Sequence, residues 1–265
     1  MLWYLFMLLS ALFALYLRLQ FTWGVLSAVL AGVGCFLGLN AVFVLYLFTV
    51  SLFCVNREPV EKPNEYLRHL AYITMDWILA LFRIRVKGRN LERLPREPAV
   101  IISNHLSRFD PMALYCLERK RRLAFVSKIE NMRIPVAGPV LYQIGFLPLE
   151  RDNPLQAMRT IRTGAKMTRE NGFSMGIYPE GTRNTTDELL PFKPGAFVMA
   201  QKAKAPLAVT IIRGTRGASG RLFTRASIEV LDVIPAETVA AKKPEELAQE
   251  TEEIMRAAMA KEAAF

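Results

Sequence analysis

The amino-acid sequence predicts an α/β domain with a mostly parallel sheet flanked by helices, preceded by an N-terminal transmembrane or interfacial helical segment. Three observations carry this expectation. Residues 1–55 hold a single charged side chain, Arg18. From Arg85 onward, short apolar runs alternate with stretches of helical length, the pattern of strands joined by crossover helices. The polar, glycine-bearing clusters stand at the ends of those apolar runs, where open parallel sheets bind ligands.

Composition bounds the class. The 265 residues are 52% hydrophobic and only 22% charged, yet the net charge is +10. Residues 56–265 carry 33 Lys/Arg against 24 Asp/Glu, a net +9, on a chain long enough to bury a core. This excludes a disordered protein, a disulfide scaffold, a fully embedded transporter and a plain soluble enzyme. Of three cysteines, Cys35 and Cys54 lie in the apolar segment, and no CxxC pair occurs. That fits a reducing compartment and spells neither a disulfide framework nor a zinc site.

The N-terminal elements come first. Leu2–Leu17 is a near-apolar run, and Phe21–Val55 adds 35 uncharged residues, of which Asn40 is the most polar. As one helix the second run spans about 52 Å, against a hydrocarbon thickness of roughly 30 Å, so it tilts, kinks or lies partly in the interface. Gly32, Gly34 and Gly38 permit a kink, and Gly34–Gly38 has the GxxxG spacing suited to packing on the first run. Met1–Ser10 lacks the positive charge of a signal peptide, so residues 1–55 are expected to be a retained hydrophobic hairpin. Two crossings leave both ends on one side, and the Lys/Arg excess after residue 82 assigns that side to the cytoplasm.

Residues 56–84 are expected to form a polar linker, Asn56 to Pro63, and then a helix over 64–84. Leu70, Ile73, Trp77, Leu81 and Ile84 follow three-and-four spacing. With Trp77 and the basic Arg83-Ile-Arg85 flank, this helix either lies along the bilayer surface or packs on the domain core. His69 on it is far from other titratable clusters and reads as structural or exposed.

The third unit, 85–265, has candidate strands Ala99–Ser103, Leu123–Ser127, Gly145–Leu149, Phe173–Tyr178, Pro206–Arg213 and Ile228–Ile234. Candidate helices are Pro111–Leu117, Pro154–Glu170, Ala196–Ala203 and Glu245–Ala264. Asp110-Pro111 and Asn153-Pro154 each set a capping side chain before a proline at the first helical position.

The chemistry is read at strand ends. Asn104-His105-Leu-Ser-Arg-Phe-Asp110 follows the AVIIS run, and a folded-back loop lets Asp110 accept from one nitrogen of His105, leaving the other as a base. His105 is the one His of the domain; alone, it also reads as a satisfied loop histidine. Tyr178-Pro-Glu180-Gly181-Thr182-Arg183 ends another apolar run. Gly181 permits a tight turn, and Arg183 offers a fork of donors suited to phosphate. On its own this hexapeptide is equally a turn with a solvated arginine. Gly145-Phe-Leu-Pro-Leu-Glu-Arg151, with Lys128 upstream, and the proline-led Ala205-Pro206-Leu-Ala-Val-Thr-Ile211 complete the order.

Taken in that order, from Arg85 to Val233, these blocks resemble the glycerolipid acyltransferases, the 1-acylglycerol-3-phosphate acyltransferases among them. The resemblance implies that His105 and Asp110 are catalytic. It implies that Glu180, Gly181, Thr182 and Arg183 bind the acceptor and its phosphate, with Arg151 in support; Lys128 joins them as a candidate. It also implies a helical element that sets the catalytic domain against the bilayer. Val209 departs from the family, where a second proline is usual.

The expected reaction moves a fatty acyl group from acyl-CoA or an acyl carrier protein to the sn-2 hydroxyl of lysophosphatidic acid, giving phosphatidic acid, with no cofactor and no metal. His105 takes the hydroxyl proton and Asp110 stabilises the imidazolium. Ser107 lacks triad geometry in sequence, and Cys116 reads as core. Residues 83–133 hold thirteen Lys/Arg against five Asp/Glu, densest at Arg119-Lys-Arg-Arg122. This charge suits an anionic bilayer surface or an acidic carrier protein, and without stacking aromatics it does not suit nucleic acid. Residues 236–265 are net −3, with no evident chemistry. The alternatives are glycerol 3-phosphate or another lysophospholipid as acceptor, or a non-catalytic, membrane-docked lipid-binding protein.

Overall fold

The computed structural model describes residues 1–54, 58, 60, 62–150, 152–186 and 188–263, the last three without their side chains. Part of the linker expected over 56–63 lies outside these residues, and Arg151 lies outside them entirely.

Two helices open the chain, α1 (Leu2–Gln20) and α2 (Val25–Leu52), both long and apolar enough to cross a membrane. They pack on each other as a hairpin, with Leu26, Leu30, Leu37, Leu45 and Leu52 all facing outward. α2 is one continuous helix of 28 residues, about 42 Å long. The close approach is not made by the expected GxxxG pair. A Cβ on Gly34 or Gly38 would meet nothing within 4 Å, whereas one on Gly32 would lie 2.9 Å from Ala14 Cβ and 3.1 Å from the Ser10 carbonyl. The small residues that decide the contact are those on the face turned to α1. Asn40 faces the other neighbour, accepting a 2.9 Å hydrogen bond from Trp77 Nε1.

Helix α3 (Glu65–Leu81) is capped by Asn64, whose side chain accepts from the Leu67 N–H. Its buried stripe is Leu67, Leu70, Ala71, Met75 and Leu79, rotated from the stripe read in sequence. The displaced residues serve a second contact. Trp77 meets Phe43 and Trp3, with ring centroids 5.5 and 6.4 Å apart, while Leu81 stays exposed. A helix with two partners carries two overlapping apolar stripes, and spacing alone cannot say which faces the domain. His69 is exposed.

The domain is built on β1 (Ile84–Arg89), β2 (Val100–Ser103), β3 (Leu123–Lys128), β4 (Leu147–Leu149), β5 (Ser174–Ile177), β6 (Leu207–Arg213) and β7 (Thr224–Ile234). They form one sheet in the order β1-β7-β6-β2-β5-β3-β4. Five strands run parallel; β7 is antiparallel to β6, and β1 is parallel to β7. Strand β1 was not among the expected ones. Its IRVKGR sequence is an alternating, charged edge strand, and its basic residues mimic a helix flank. By contrast β2 and β5 are buried throughout, as strands covered on both faces are.

Helices α4 (Asp110–Leu117) and α3 pack together, as do α6 (Pro154–Asn171), α7 (Gly195–Ala203) and α9 (Pro244–Ala263) through shared contacts. The short α5 (Ala137–Gln143) packs on α2 and α3, and α8 (Ala236–Ala241) packs on α7. Asn153 caps α6 as expected, accepting from the Gln156 N–H. The antiparallel register sets Arg213 opposite Ser227, and the parallel one sets Ile84 beside Thr224. The C-terminal ends of β2, β5 and β6 therefore share one edge of the sheet with the start of β1 and β7.

Candidate active site

At that edge β2 ends on Ser103, and Asn104 locks the chain to β6. Its amide donates to the Ile212 carbonyl at 2.9 Å and its oxygen accepts from the Ile212 N–H at 2.7 Å. The next residue, His105, is thus delivered from a rigid support. Its Nδ1 lies 2.9 Å from Asp110 Oδ2, with the imidazole 17% exposed and the carboxylate fully buried.

Asp110 does not cap α4 as the sequence suggested. The helix takes Phe109 as its N-cap and has no side-chain cap. The Asp110 carboxylate turns back over the loop instead, accepting the Leu106 and Ser107 N–H groups at 2.6 and 2.7 Å on Oδ2 and the Thr215 hydroxyl at 2.6 Å on Oδ1. Charge-assisted bonds to several donors hold a buried carboxylate better than a helix end in contact with solvent. With Nδ1–H donating to Asp110, Nε2 is the nitrogen left to act.

Tyr178, at the end of β5, covers the imidazole. The two rings stack at 4.2 Å between centroids and 17° between planes, and Phe125 continues the stack 6.0 Å beyond Tyr178. Burial, with Asp110 nearby, pushes the Tyr178 phenol well above its ordinary pKa, so it is no rival base.

The loop after β5 is laced to both backbone groups of His105. The His105 N–H donates to Glu180 Oε1 at 2.7 Å, and the Asn184 N–H donates to the His105 carbonyl at 2.6 Å. Glu180 Oε2 takes the Asn184 amide at 2.8 Å and the Leu190 N–H at 3.2 Å. Burial raises the pKa of Glu180, opposed by these donors. Both of its oxygens are thereby engaged from inside the protein. Gly181 adopts φ +71°, a left-handed conformation natural to glycine, and its open side lies against Lys193, whose Nζ would be 3.0 Å from an added Cβ. Thr182 and Arg183 are exposed on the turn. Among the described residues, no hydrogen bond or ion pair engages the Arg183 guanidinium.

The remaining candidates fall elsewhere. Lys128 ends β3 and pairs with Glu130 at 2.8 Å, both exposed. The basic run is partly committed to structure. Arg121 donates to the carbonyls of Pro95 and Glu97 and to Ser174, Arg122 pairs with Glu65, and Arg119 lies over the Tyr72 ring. Burial pushes the Cys116 thiol to about 12, which leaves it protonated. The Ser107 hydroxyl accepts from the Phe109 N–H.

Sequence reasoning passed over Thr215, Asn184 and Lys193, and quoted Tyr178 without a role. One signal was present: Gly214-Thr215-Arg216 repeats the Gly-Thr-Arg of 181–183 and also follows a strand.

Residues 83–213 match the family model described as Acyltransferase. The chain is 32% identical to the human 1-acyl-sn-glycerol-3-phosphate acyltransferase beta over 170 residues, 60% of each chain. It is 31% identical to a chloroplast 1-acyl-sn-glycerol-3-phosphate acyltransferase of Brassica napus over 157 residues, 58% of this chain and 43% of that one. The chain thus spans about half the length of the curated relatives it matches. The crystal structure of the 1-acyl-sn-glycerophosphate acyltransferase of Thermotoga maritima superposes with a TM-score of 0.64 at 18% identity, covering 97% of this chain and 96% of that one. That likeness bears out the fold.

Proposed function

Residues 83–213 match the acyltransferase family model, and on that premise we propose that the protein transfers a fatty acyl group from a thioester to the sn-2 hydroxyl of 1-acylglycerol 3-phosphate, forming phosphatidic acid. One observation carries this reading. The two residues that flank the Gly181–Arg183 turn hold the backbone of His105, Glu180 accepting from its N–H and Asn184 donating to its carbonyl. An arginine with no partner among the described residues thus sits on the same tethered loop as the groups that hold the partly exposed imidazole, which suits an acceptor with a hydroxyl and a phosphate a few bonds apart.

In this reading Nε2 of His105 removes the proton of the acceptor hydroxyl as its oxygen attacks the thioester carbonyl carbon. The tetrahedral intermediate collapses with rupture of the C–S bond, and the departing thiolate takes the proton back from His105. Asp110 orients the ring and stabilises the imidazolium between these steps. Arg183 and Lys193 receive the acceptor phosphate, and Thr182 adds a hydroxyl beside them. Glu180 acts from behind, holding the backbone of His105. The donor is acyl-CoA or an acyl carrier protein; no cofactor enters the scheme. The α1–α2 hairpin lies in the cell membrane with the domain on the cytoplasmic side, a reading supported by the Lys/Arg excess after residue 82.

The test is an assay of the purified full chain in detergent. Lysophosphatidic acid, glycerol 3-phosphate and other lysophospholipids serve as acceptors, each with acyl-CoA and with acyl carrier protein. Phosphatidic acid as the dominant product is the expected result. Preference for an acceptor without a phosphate monoester overturns the proposal.

A further inference from the structure

The loop that joins β6 to β7, residues 214–223, starts at the active-site edge and ends there. Its first part holds Thr215 against Asp110. Its last two residues, Leu222 and Phe223, project into solvent with 69% of each exposed. Two adjacent large apolar residues so displayed, on a loop with no structural need for them, are a cost unless something covers them.

Their surroundings say what does. Arg83 donates to the Leu222 carbonyl at 3.2 Å and lies 6.0 Å from the centre of the Phe223 ring. Arg85, Arg221 and Arg225 are exposed around the same strand ends. Among the described residues none of these four arginines has a carboxylate partner, and residues 214–228 contain no Asp or Glu. Two residues before Arg83, Leu81 is exposed and lines an apolar hollow of about 630 Å³ shared with Trp3, Phe48 and Trp77. The apolar surface of the hairpin base thus leads to the loop tip along the end of α3.

We propose that Leu222 and Phe223 form a second membrane contact, inserting into the headgroup layer of an anionic bilayer while Arg83, Arg85, Arg221 and Arg225 pair with lipid phosphates. Apolar residues framed by cations are the chemistry that recognises such an interface. The hairpin fixes the protein to the membrane; the loop fixes which way the cleft faces. Because β2, β5 and β6 end at the same edge, docking this tip turns His105 and the Gly181–Arg183 turn toward the lipid surface.

The experiment uses the full chain in vesicles of phosphatidylcholine and phosphatidylglycerol. Phe223→Trp adds one indole, read as the difference from the parent chain, whose tryptophans are Trp3, Trp23 and Trp77. The expected result is a blue-shifted difference spectrum that is quenched by lipids brominated high on the acyl chain, and Leu222→Trp provides the same reading from the neighbouring position. Emission as in water, without quenching at either position, overturns the proposal. A second arm uses Leu222→Ser/Phe223→Ser. Turnover of a long-chain acceptor embedded in vesicles should fall roughly tenfold or more, the loss of two partly buried apolar side chains. Turnover of a short-chain, monomeric acceptor should not change, and an equal fall on both also counts against the proposal. The fluorescence does not depend on the reaction, so it reads the docking even if the proposed chemistry fails.

Discussion

The Thr215 hydroxyl reaches Oδ1 of Asp110 at 2.6 Å from a position 105 residues further along the chain, while Oδ2 of the same carboxylate meets Nδ1 of His105 at 2.9 Å. The base is therefore aligned through a relay of two bonds, both at the buried end of the cleft. Thr215 touches no reacting atom in the proposed scheme; it is a positioning residue. Thr215→Val removes a donor to a charged acceptor, worth about 1.5–3 kcal/mol. Turnover is expected to drop roughly tenfold or more with the acceptor KM little changed. Thr215→Ser should restore most of it. Steady-state kinetics on the three chains decide the matter, and a Val variant with normal kcat removes Thr215 from the relay.

His105→Ala should leave the fold intact, because the residue lies in the loop after β2, where Asn104 anchors the chain to β6 and Glu180 holds the His105 N–H. Loss of a general base costs roughly 10²–10⁴-fold in turnover. Asp110→Asn should be similarly crippled, since its amide turns a donor toward one of the groups that now donate to it. Circular dichroism and single-turnover acylation distinguish lost chemistry from lost folding. Near-normal turnover by His105→Ala would falsify the mechanism.

Glu180 gives a pH prediction. Burial raises its pKa above the usual 4.5 in the folded chain, so the folded state holds that proton more tightly than the unfolded state does. Its contribution is fully present below the unfolded value and is lost as pH rises through the folded one. Stability should accordingly decline from about pH 4.5 upward with a slope that Glu180→Gln flattens. Urea midpoints of both chains, measured in detergent from pH 4 to 8, test this; parallel slopes would remove Glu180 as the cause.

Much of this site was legible in the sequence because its parts are local. His105 and Asp110 sit in one loop, and Glu180 to Arg183 in another, each announced by the apolar strand before it. What the sequence hid was set by long-range register. Thr215 reaches Asp110 only because β6 lies next to β2, and Lys193 reaches Gly181 only because the chain doubles back ahead of α7. Strand β1 was missed because an edge strand with alternating charge lacks the continuous apolar run that marked β2 and β6. The buried face of α3 differs from the stripe read in sequence for a related reason, since Trp77 packs toward the hairpin rather than the domain. Asp110 looked like a helix cap because Asp-Pro commonly is one; four donors from the loop and from Thr215 outweigh that local preference.

Membrane attachment should resist ionic disruption. Two helices that display leucine, phenylalanine and valine on their outer faces are held by apolar burial, which salt does not screen. Carbonate and molar salt washes are expected to leave the full chain in the membrane pellet. Its appearance in the supernatant would mean that the hairpin is not inserted.

The acceptor phosphate should divide its binding between Arg183 and Lys193. Arg183 is exposed on the turn after Gly181 and has no partner among the described residues, while the Lys193 ammonium rests against Gly181 itself. A hydrogen bond to a charged group is worth about 1.5–3 kcal/mol, so Arg183→Ala should raise the acceptor KM roughly 10- to 150-fold with little change for the thioester. Arg183→Lys should recover only part of this, because an ammonium cannot form the paired contacts of a guanidinium. Lys193→Met should raise the same KM by a smaller factor, about tenfold, since a single point charge on a flexible stem is replaced by an apolar chain of similar length. In the double variant the two effects should be less than additive if both cations grip one phosphate, because removing either lets the other reorient. Strict additivity would place them on separate groups. Should Arg183→Ala weaken the thioester and spare the acceptor, the turn would belong to the phosphates of the donor, and the acceptor would have to be sought nearer Lys128 and Arg151.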